Sequence, residues 1–199
     1  MRRKHSEITD PEKINKILSS ANIGRLATNG SDGYPYITPV NFVFYQGSIY
    51  FHCAPEGEKL DNISKNPKVC FQVDIPLAYL DSDLAPVKTA CDVHQLYHCV
   101  IIRGEARILP NSQLKVDALN ALVEKHEKNV DFEKVHEDLP AYKACKVVEI
   151  IPTTITAKSD LAQNRSHEKR LAIAKYLKSR NWPKDMETIE AMGFNPKEI

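Results

Sequence analysis

Six runs rich in β-branched and aromatic residues dominate this chain: IGRLATNG, YPYITPVNFVFYQG, SIYFHC, KVCFQVDI, QLYHCVIIRGEARIL and KVVEIIPTTITAK. Turn residues punctuate them in NGSDGYP, QGS and NP, supplying the fixed or positive φ that reverses a strand. The first four runs are joined by tight turns or one short helix, and no rhythm of strand and long helical crossover is visible, so the sheet is expected to be antiparallel. Closing such a sheet on itself removes its edges. The expected fold class is therefore mainly β (α+β): a six-stranded antiparallel split barrel with peripheral helices.

Helical signals surround the strands. Asp10 and Pro11 form a cap and first turn ahead of the stripe Ile14, Ile17 and Leu18, and EGEKLDNI starts a second helix with Leu60 and Ile63 on its apolar side. A helical insert is expected at about 112–142, with Leu114, Ala118, Leu122 and Val123 on one face. After Lys158, SHEKRLAIAKYLKSRN begins at a Ser166 cap and carries Leu171, Ala174 and Leu177 at helical spacing. Lys169, Arg170, Lys175, Lys178 and Arg180 fall on its other faces and read as solvated surface. The acidic stretch LDSDLAPVKTACD, residues 80–92, reads as a surface loop. The division expected is a barrel domain over 1–158 and a C-terminal helical extension over 159–199, in which Trp182 either closes a site or packs on the barrel.

Composition narrows the class. A formal charge of +1 over 199 residues leaves no basic excess to hold nucleic acid. The segment MRRKHSEITDPEK has no apolar run behind it, and no stretch approaches the ~18 apolar residues of a membrane span. Cys53, Cys70, Cys91, Cys99 and Cys145 are odd in number and lie mostly in strand-like runs, which fits free thiols in a reducing cytoplasm.

Two strands are apolar on both faces. In PYITPVNFVF, Tyr36, Thr38, Val40, Phe42 and Phe44 oppose Ile37, Pro39, Asn41 and Val43; in LYHCVII, Tyr97, Cys99 and Ile101 oppose His98, Val100 and Ile102. A barrel interior covers one face of each, so the second needs the inserted helix or a second copy of the chain, and a two-fold dimer seam is a common place for a cofactor. Pro39 and Asn41 would be wasted in a dry interface, which suggests something polar and flat against that strand.

The chain has seven glycines and neither GxGxxG nor GxxxxGK[ST], so any phosphate must be held by side chains and helix-end amides. The start of EGEKLDNI offers such amides. Lys59 there opposes the helix dipole by ~0.3–1 kcal/mol unless an anion is present; alternatively it pairs with Glu56 and Glu58 in solvent. His52, pointing with Tyr50 away from Ile49 and Phe51, is either a hydrogen-bonded strand-end residue or a catalyst. Cys53 reads as core rather than nucleophile. Cys91, His94 and His98 lack the partners zinc needs, so no metal is expected, and GxSxG and HExxH are absent.

Taken in order, MRRK, a short helix, IGRLAT, GYPYITPVNFVF, GSIYFHCAPEGEKLDNI, NPKVCFQVD and LYHCVIIRGEARIL resemble the flavin-binding split barrels related to pyridoxamine 5′-phosphate oxidase, most closely the Nim-type nitroimidazole-resistance branch. The likeness covers about residues 1–157. It implies a homodimer with FMN in its seam, Thr38, Pro39, Val40 and Asn41 lining the isoalloxazine, and His52, Cys53, Lys59 and Asn62 reaching the ribityl chain and phosphate. Tyr97, His98 and Cys99 would come from the partner chain. His52 is the implied catalytic residue, as a proton donor to the reduced substrate. The implied activity is an FMN-dependent oxidoreductase acting on nitro compounds or similar small electron acceptors, with NAD(P)H as candidate donor. Its rivals are a flavin-binding or sensing protein without turnover, and a haem-binding barrel with His52, His94 or His98 as axial ligand. Glu58-Lys59 stands where the oxidase has Arg-Lys, Cys99 stands where the family has serine, and the oxidase's C-terminal arginine segment has no counterpart, so vitamin B6 oxidation is not implied.

Overall fold

The computed structural model describes residues 3–84, 93–128 and 133–199. A two-residue strand β1 (Glu7–Ile8) precedes α1 (Pro11–Ser20), where the Asp10 carboxylate accepts from the Glu12 amide at 2.9 Å and Pro11 occupies the first turn as expected. Then follow β2 (Ile23–Asn29), β3 (Pro35–Asn41), β4 (Val43–Tyr45), β5 (Ser48–Cys53), α2 (Glu58–Lys65) and β6 (Lys68–Leu80). After them come β7 (His94–Ile108), α3 (Gln113–His126), α4 (Pro140–Ala144), β8 (Lys146–Asp160), α5 (His167–Arg180) and α6 (Asp185–Ala191). Ser112 and Ser166 cap α3 and α5 by accepting from Lys115 and Lys169 amides. The loop expected over 80–92 lies outside the described residues from position 85 onward.

The strands run in the order β3-β2-β6-β7-β8-β5-β4, with β1 paired to β8 off this path. The pairings β2–β3, β2–β6, β4–β5, β5–β8 and β1–β8 are antiparallel. The fold is a mainly antiparallel α+β, split-barrel-like one, and the expected six strands become seven on the path. The extra strand arises because PYITPVNFVF is not continuous: β3 pairs with β2, β4 pairs with β5, and the chain changes partner at Phe42. The run is apolar on both faces through Phe42, so hydrophobic pattern alone carries no mark of the change.

The chain divides into two compact units. The larger comprises Asp10–Val73 and Val100–Thr156. Within it β3 and β4 are the two ends of the strand order yet are separated in sequence by Phe42 alone, so the sheet has to curl until its ends meet. Phe42 is fully buried, and its ring stands edge-on to Phe71 with centroids 5.0 Å apart. Phe71 also explains Gly24: a β-carbon there would lie 2.0 Å from the Phe71 ring. Ile49 and Phe51 face this interior, opposite Ile150 and Val148, as their alternation predicts.

The helical insert covers the second face of β4 and β5. Val116, Leu119, Leu122 and Tyr142 pack on Val43, Tyr50 and Val147, and the Tyr50 hydroxyl donates to Glu149 at 2.8 Å, whose other oxygen accepts from Arg107 Nε at 2.6 Å. Burial and the Glu149 carboxylate push the Tyr50 phenol up to about 12. The apolar stripe of α3 is rotated from the one expected: Val116 and Leu119 join Ala118 and Leu122 in the core, while Val123 is 36% exposed. Lys115 is buried as well, donating to the carbonyls of Tyr142 (2.8 Å) and Cys145 (3.0 Å) and to Asn111 Oδ1 (3.2 Å), so it ties α3 to the end of α4. On β3, by contrast, Ile37 remains 61% exposed and the preceding Tyr34 75% exposed.

The smaller unit comprises Met1–Thr9, Asp74–Cys99 and Ala157–Ile199. Its core joins Leu77, Leu80 and Leu96 to Ile173, Ala174 and Leu177 of α5 and Ile189 of α6. Lys169, Lys175 and Lys178 are exposed as expected, but Arg180 is not on a solvated face. Its guanidinium donates through Nε (3.0 Å) and Nη2 (2.7 Å) to the fully buried Asp185, and through Nη1 to Asp81 and the Tyr79 carbonyl. Trp182 stacks over the guanidinium at 4.2 Å. Arg180→Met is expected to cost about 3–5 kcal/mol, because it leaves Asp185 charged and buried. Urea unfolding should show this loss, and Asp185→Asn in the same background should recover part of it.

Candidate functional site

The change of partner at Phe42 sets a row of side chains at the seam. Val43 is opposite Tyr50 and Phe44 opposite Ile49, Asn41 ends β3 opposite Ile23, and His52 pairs with Val147 of β8. Asn41 and His52 are both exposed, on the face that α3 covers farther along. The result is a groove of about 930 Å³ with Asn41, His52 and Cys53 along the sheet and Leu122, Val123, His126 and Leu139 along the insert. Glu127 lines it too.

The last turn of α3 holds the junction itself. His126 Nε2 lies 3.2 Å from the Phe42 carbonyl; a carbonyl only accepts, so Nε2 carries the proton and, in the neutral ring, Nδ1 is an acceptor. Lys125 Nζ donates to the Leu18 carbonyl at 3.0 Å and stands 3.6 Å above the Phe42 ring. Burial lowers the Lys125 ammonium to about 8.

At the far end of β5 the chain turns at Gly57, whose φ of 138° is open to glycine and strained for other residues. Gly57 is also the N-cap of α2, so no side chain caps the first amides of that helix. Lys59 lies in this first turn, half-buried. Burial pushes the Cys53 thiol up, the Lys59 ammonium draws it partly back, and Cys145 raises it further. Cys53 is therefore a protonated thiol at neutral pH, and Lys59 is close enough for its field to be felt there.

The other expected site residues are distributed as follows. Thr38 and Val40 are half-buried opposite Leu26 and Gly24, while Pro39 is exposed opposite Arg25. Asn62 is buried and donates to Thr28 Oγ1 at 3.0 Å. Tyr97, His98 and Cys99 lie in the smaller unit: Lys158 Nζ is 5.2 Å above the Tyr97 ring, His98 Nδ1 bonds Ser159 Oγ, and Cys99 is buried. His94, in the same unit, is 3.9 Å from Asp160, and burial lowers its imidazole. Among the described residues no group of three or more His, Cys, Asp or Glu could hold a metal ion; Cys91 lies outside them. The sequence reading offered the insert as one cover for this face but missed Lys125 and His126, because a helix end with two basic residues is the ordinary complement to the helix dipole.

The family model of pyridoxamine 5′-phosphate oxidase matches residues 10–159. The chain belongs to that family. No curated protein matches its sequence. Among solved structures similar to this pyridoxamine 5′-phosphate oxidase relative is a candidate 5-nitroimidazole antibiotic resistance protein from Bacteroides thetaiotaomicron, with a TM-score of 0.64 and 23% identity over 77% of this chain and 86% of that one. The FAD and haem binding protein from Mycobacterium smegmatis has a TM-score of 0.67 and 13% identity, covering 84% and 79%. An FAD-binding protein from Mesorhizobium loti has a TM-score of 0.53 and 21% identity, covering 77% and 96%. At these identities the likeness is one of fold. Among the described residues no helix is long and apolar enough to cross a membrane.

Lys125 provides a test of the junction by pH. Its folded value lies near 8 and its unfolded value near the usual 10.5, so the folded state binds fewer protons between the two and stability gains from this group as pH rises. The stability of the wild type relative to Lys125→Met should therefore increase between pH 7.5 and 10, measured as the difference in urea midpoints at each pH.

Proposed function

We propose that this family member is a homodimeric FMN-binding flavoprotein that passes electrons from NAD(P)H to nitro compounds or similar small acceptors. The observation that carries the reading is the corner at Gly57: a helix start with no side-chain cap and a half-buried ammonium in its first turn. That donor set fits a phosphomonoester, which takes hydrogen bonds from helix-end amides and a charge-assisted bond from lysine. A flavin bound here accepts two electrons and delivers them to an acceptor.

The residues of the chain have simpler roles. Lys59 and the first amides of α2 hold the phosphate, Cys53 stays a neutral thiol beside the chain that leads to it, and Thr38, Pro39, Val40 and Asn41 form the strand on which the ring lies. Asn62 supports this shelf from beneath through Thr28. His52, exposed at the groove, donates a proton to the reduced acceptor. Tyr97, His98 and Cys99 complete the site from the partner subunit. Dimerisation through β2 and β3 is supported by the exposed apolar residues Ile23, Tyr34 and Ile37, with Ile23 and Ile37 on one face of the pair beside Asn41 and Ala27. The free thiols Cys53, Cys70 and Cys145 support a reducing, cytoplasmic setting.

The purified protein should run as a dimer and bind FMN more tightly than FAD in an absorbance or fluorescence titration. Lys59→Met should weaken FMN binding by about 10–100-fold, the worth of one charged hydrogen bond, without changing the far-UV spectrum. His52→Ala should retain reduction of bound flavin by NAD(P)H and lose turnover of a nitroaromatic. Absence of flavin uptake would refute the reading, and flavin reduction without any acceptor turnover would reduce it to a flavin carrier.

A further inference from the structure

The groove beside His52 has a charge character that the family assignment does not supply. Resting on the flavoprotein reading, we infer that the wall built by α3 and α4 is the acceptor pocket, and that it selects uncharged or cationic planar heteroaromatics while rejecting phosphorylated or carboxylated ones. The volume of about 930 Å³ lies within the range of small-molecule sites, and the wall toward solvent is apolar, with Leu122, Val123 and Leu139 facing Asn41 and His52. Such a slot takes a flat ring with one side on hydrocarbon and one edge toward the polar row.

The polar groups decide the sign. His126 spends its Nε2 proton on the Phe42 carbonyl, so that donor is not open to a ligand. Asn41 spends one amide proton on the Asn22 carbonyl at 3.3 Å. Glu127 adds an exposed carboxylate at the groove. Among the described lining residues there is no lysine or arginine. An anionic substituent would meet the Glu127 carboxylate with no lysine or arginine in return, the His52 N–H being directed to the reacting group of the acceptor, which raises its free energy relative to a neutral ring. Lys59 belongs to the phosphate corner and Lys125 to the junction over the Phe42 ring, and neither is part of this lining.

The test is a direct binding measurement, by calorimetry or ligand-detected NMR, on the full chain with and without added FMN. The probes are 1-methyl-5-nitroimidazole and its carboxylate-bearing analogue. The wild type should bind the neutral probe at least about tenfold more tightly than the anionic one. Glu127→Gln should narrow that gap several-fold. Val123→Trp, at a partly exposed position whose enlargement leaves the core intact, should abolish probe binding while FMN uptake is unchanged. The inference is overturned if the anionic probe binds as well as the neutral one, if neither binds, or if Val123→Trp binds the probe like wild type. Since probe binding is read without FMN as well, loss of FMN uptake with probe selectivity retained would count against the flavin reading alone.

Discussion

One residue closes this sheet. Phe42 links the two ends of the strand order, and everything about it is fixed: its ring is buried against Phe71, its face carries the Lys125 ammonium, and its carbonyl takes the His126 proton. A chain that leaves one strand partner and takes another within one residue has no hydrogen-bond ladder across the gap, so side-chain packing has to hold the curl. The α3 helix does this from outside and Phe71 from inside. Phe71 in turn needs the space that Gly24 leaves.

The site inherits its geometry from this closure. Asn41 and His52 belong to segments far apart in pairing order, one at the end of β3 and one at the end of β5, and they line one groove because the chain passes from β3 to β4, the partner of β5, through Phe42 alone. The insert that clamps Phe42 is the same one that walls the groove, so the closure and the groove share His126 and its helix. Lys115 and Asn120 stiffen that wall: Lys115 closes on the carbonyls of α4 and its flank, and Asn120 exchanges hydrogen bonds with the backbone of Val135. The insert is thus tied together by polar groups that are buried and paired, which restricts how far its two segments can move apart.

Much of this was legible in the sequence for a physical reason. Alternation fixed the outward placement of His52 and the inward placement of Ile49 and Phe51, because one face of β5 lines a core; the caps at Asp10, Ser112 and Ser166 are local hydrogen bonds that any such segment makes. The break at Phe42 was not legible, since Asn41 and Val43 continue the same pattern and only tertiary pairing distinguishes them. Arg170 and Arg180 were misplaced by the same principle: charged residues in a helix read as surface, and their burial is decided by partners outside the helix, the Met192 carbonyl for Arg170 and Asp81 and Asp185 for Arg180. Leu122 and Val123 of the groove wall lay on the expected stripe of α3, but their facing the sheet across a groove is set by tertiary packing.

The closure at Phe42 is best examined by amide hydrogen exchange on Phe42→Ala. If one residue joins the ends of the sheet, amides of β3 and of β4–β5 should lose protection together, including those of residues that Phe42 does not touch, while the smaller unit keeps its own. Loss confined to the immediate neighbours of position 42, with β3 and β5 protected as in the wild type, would contradict the account.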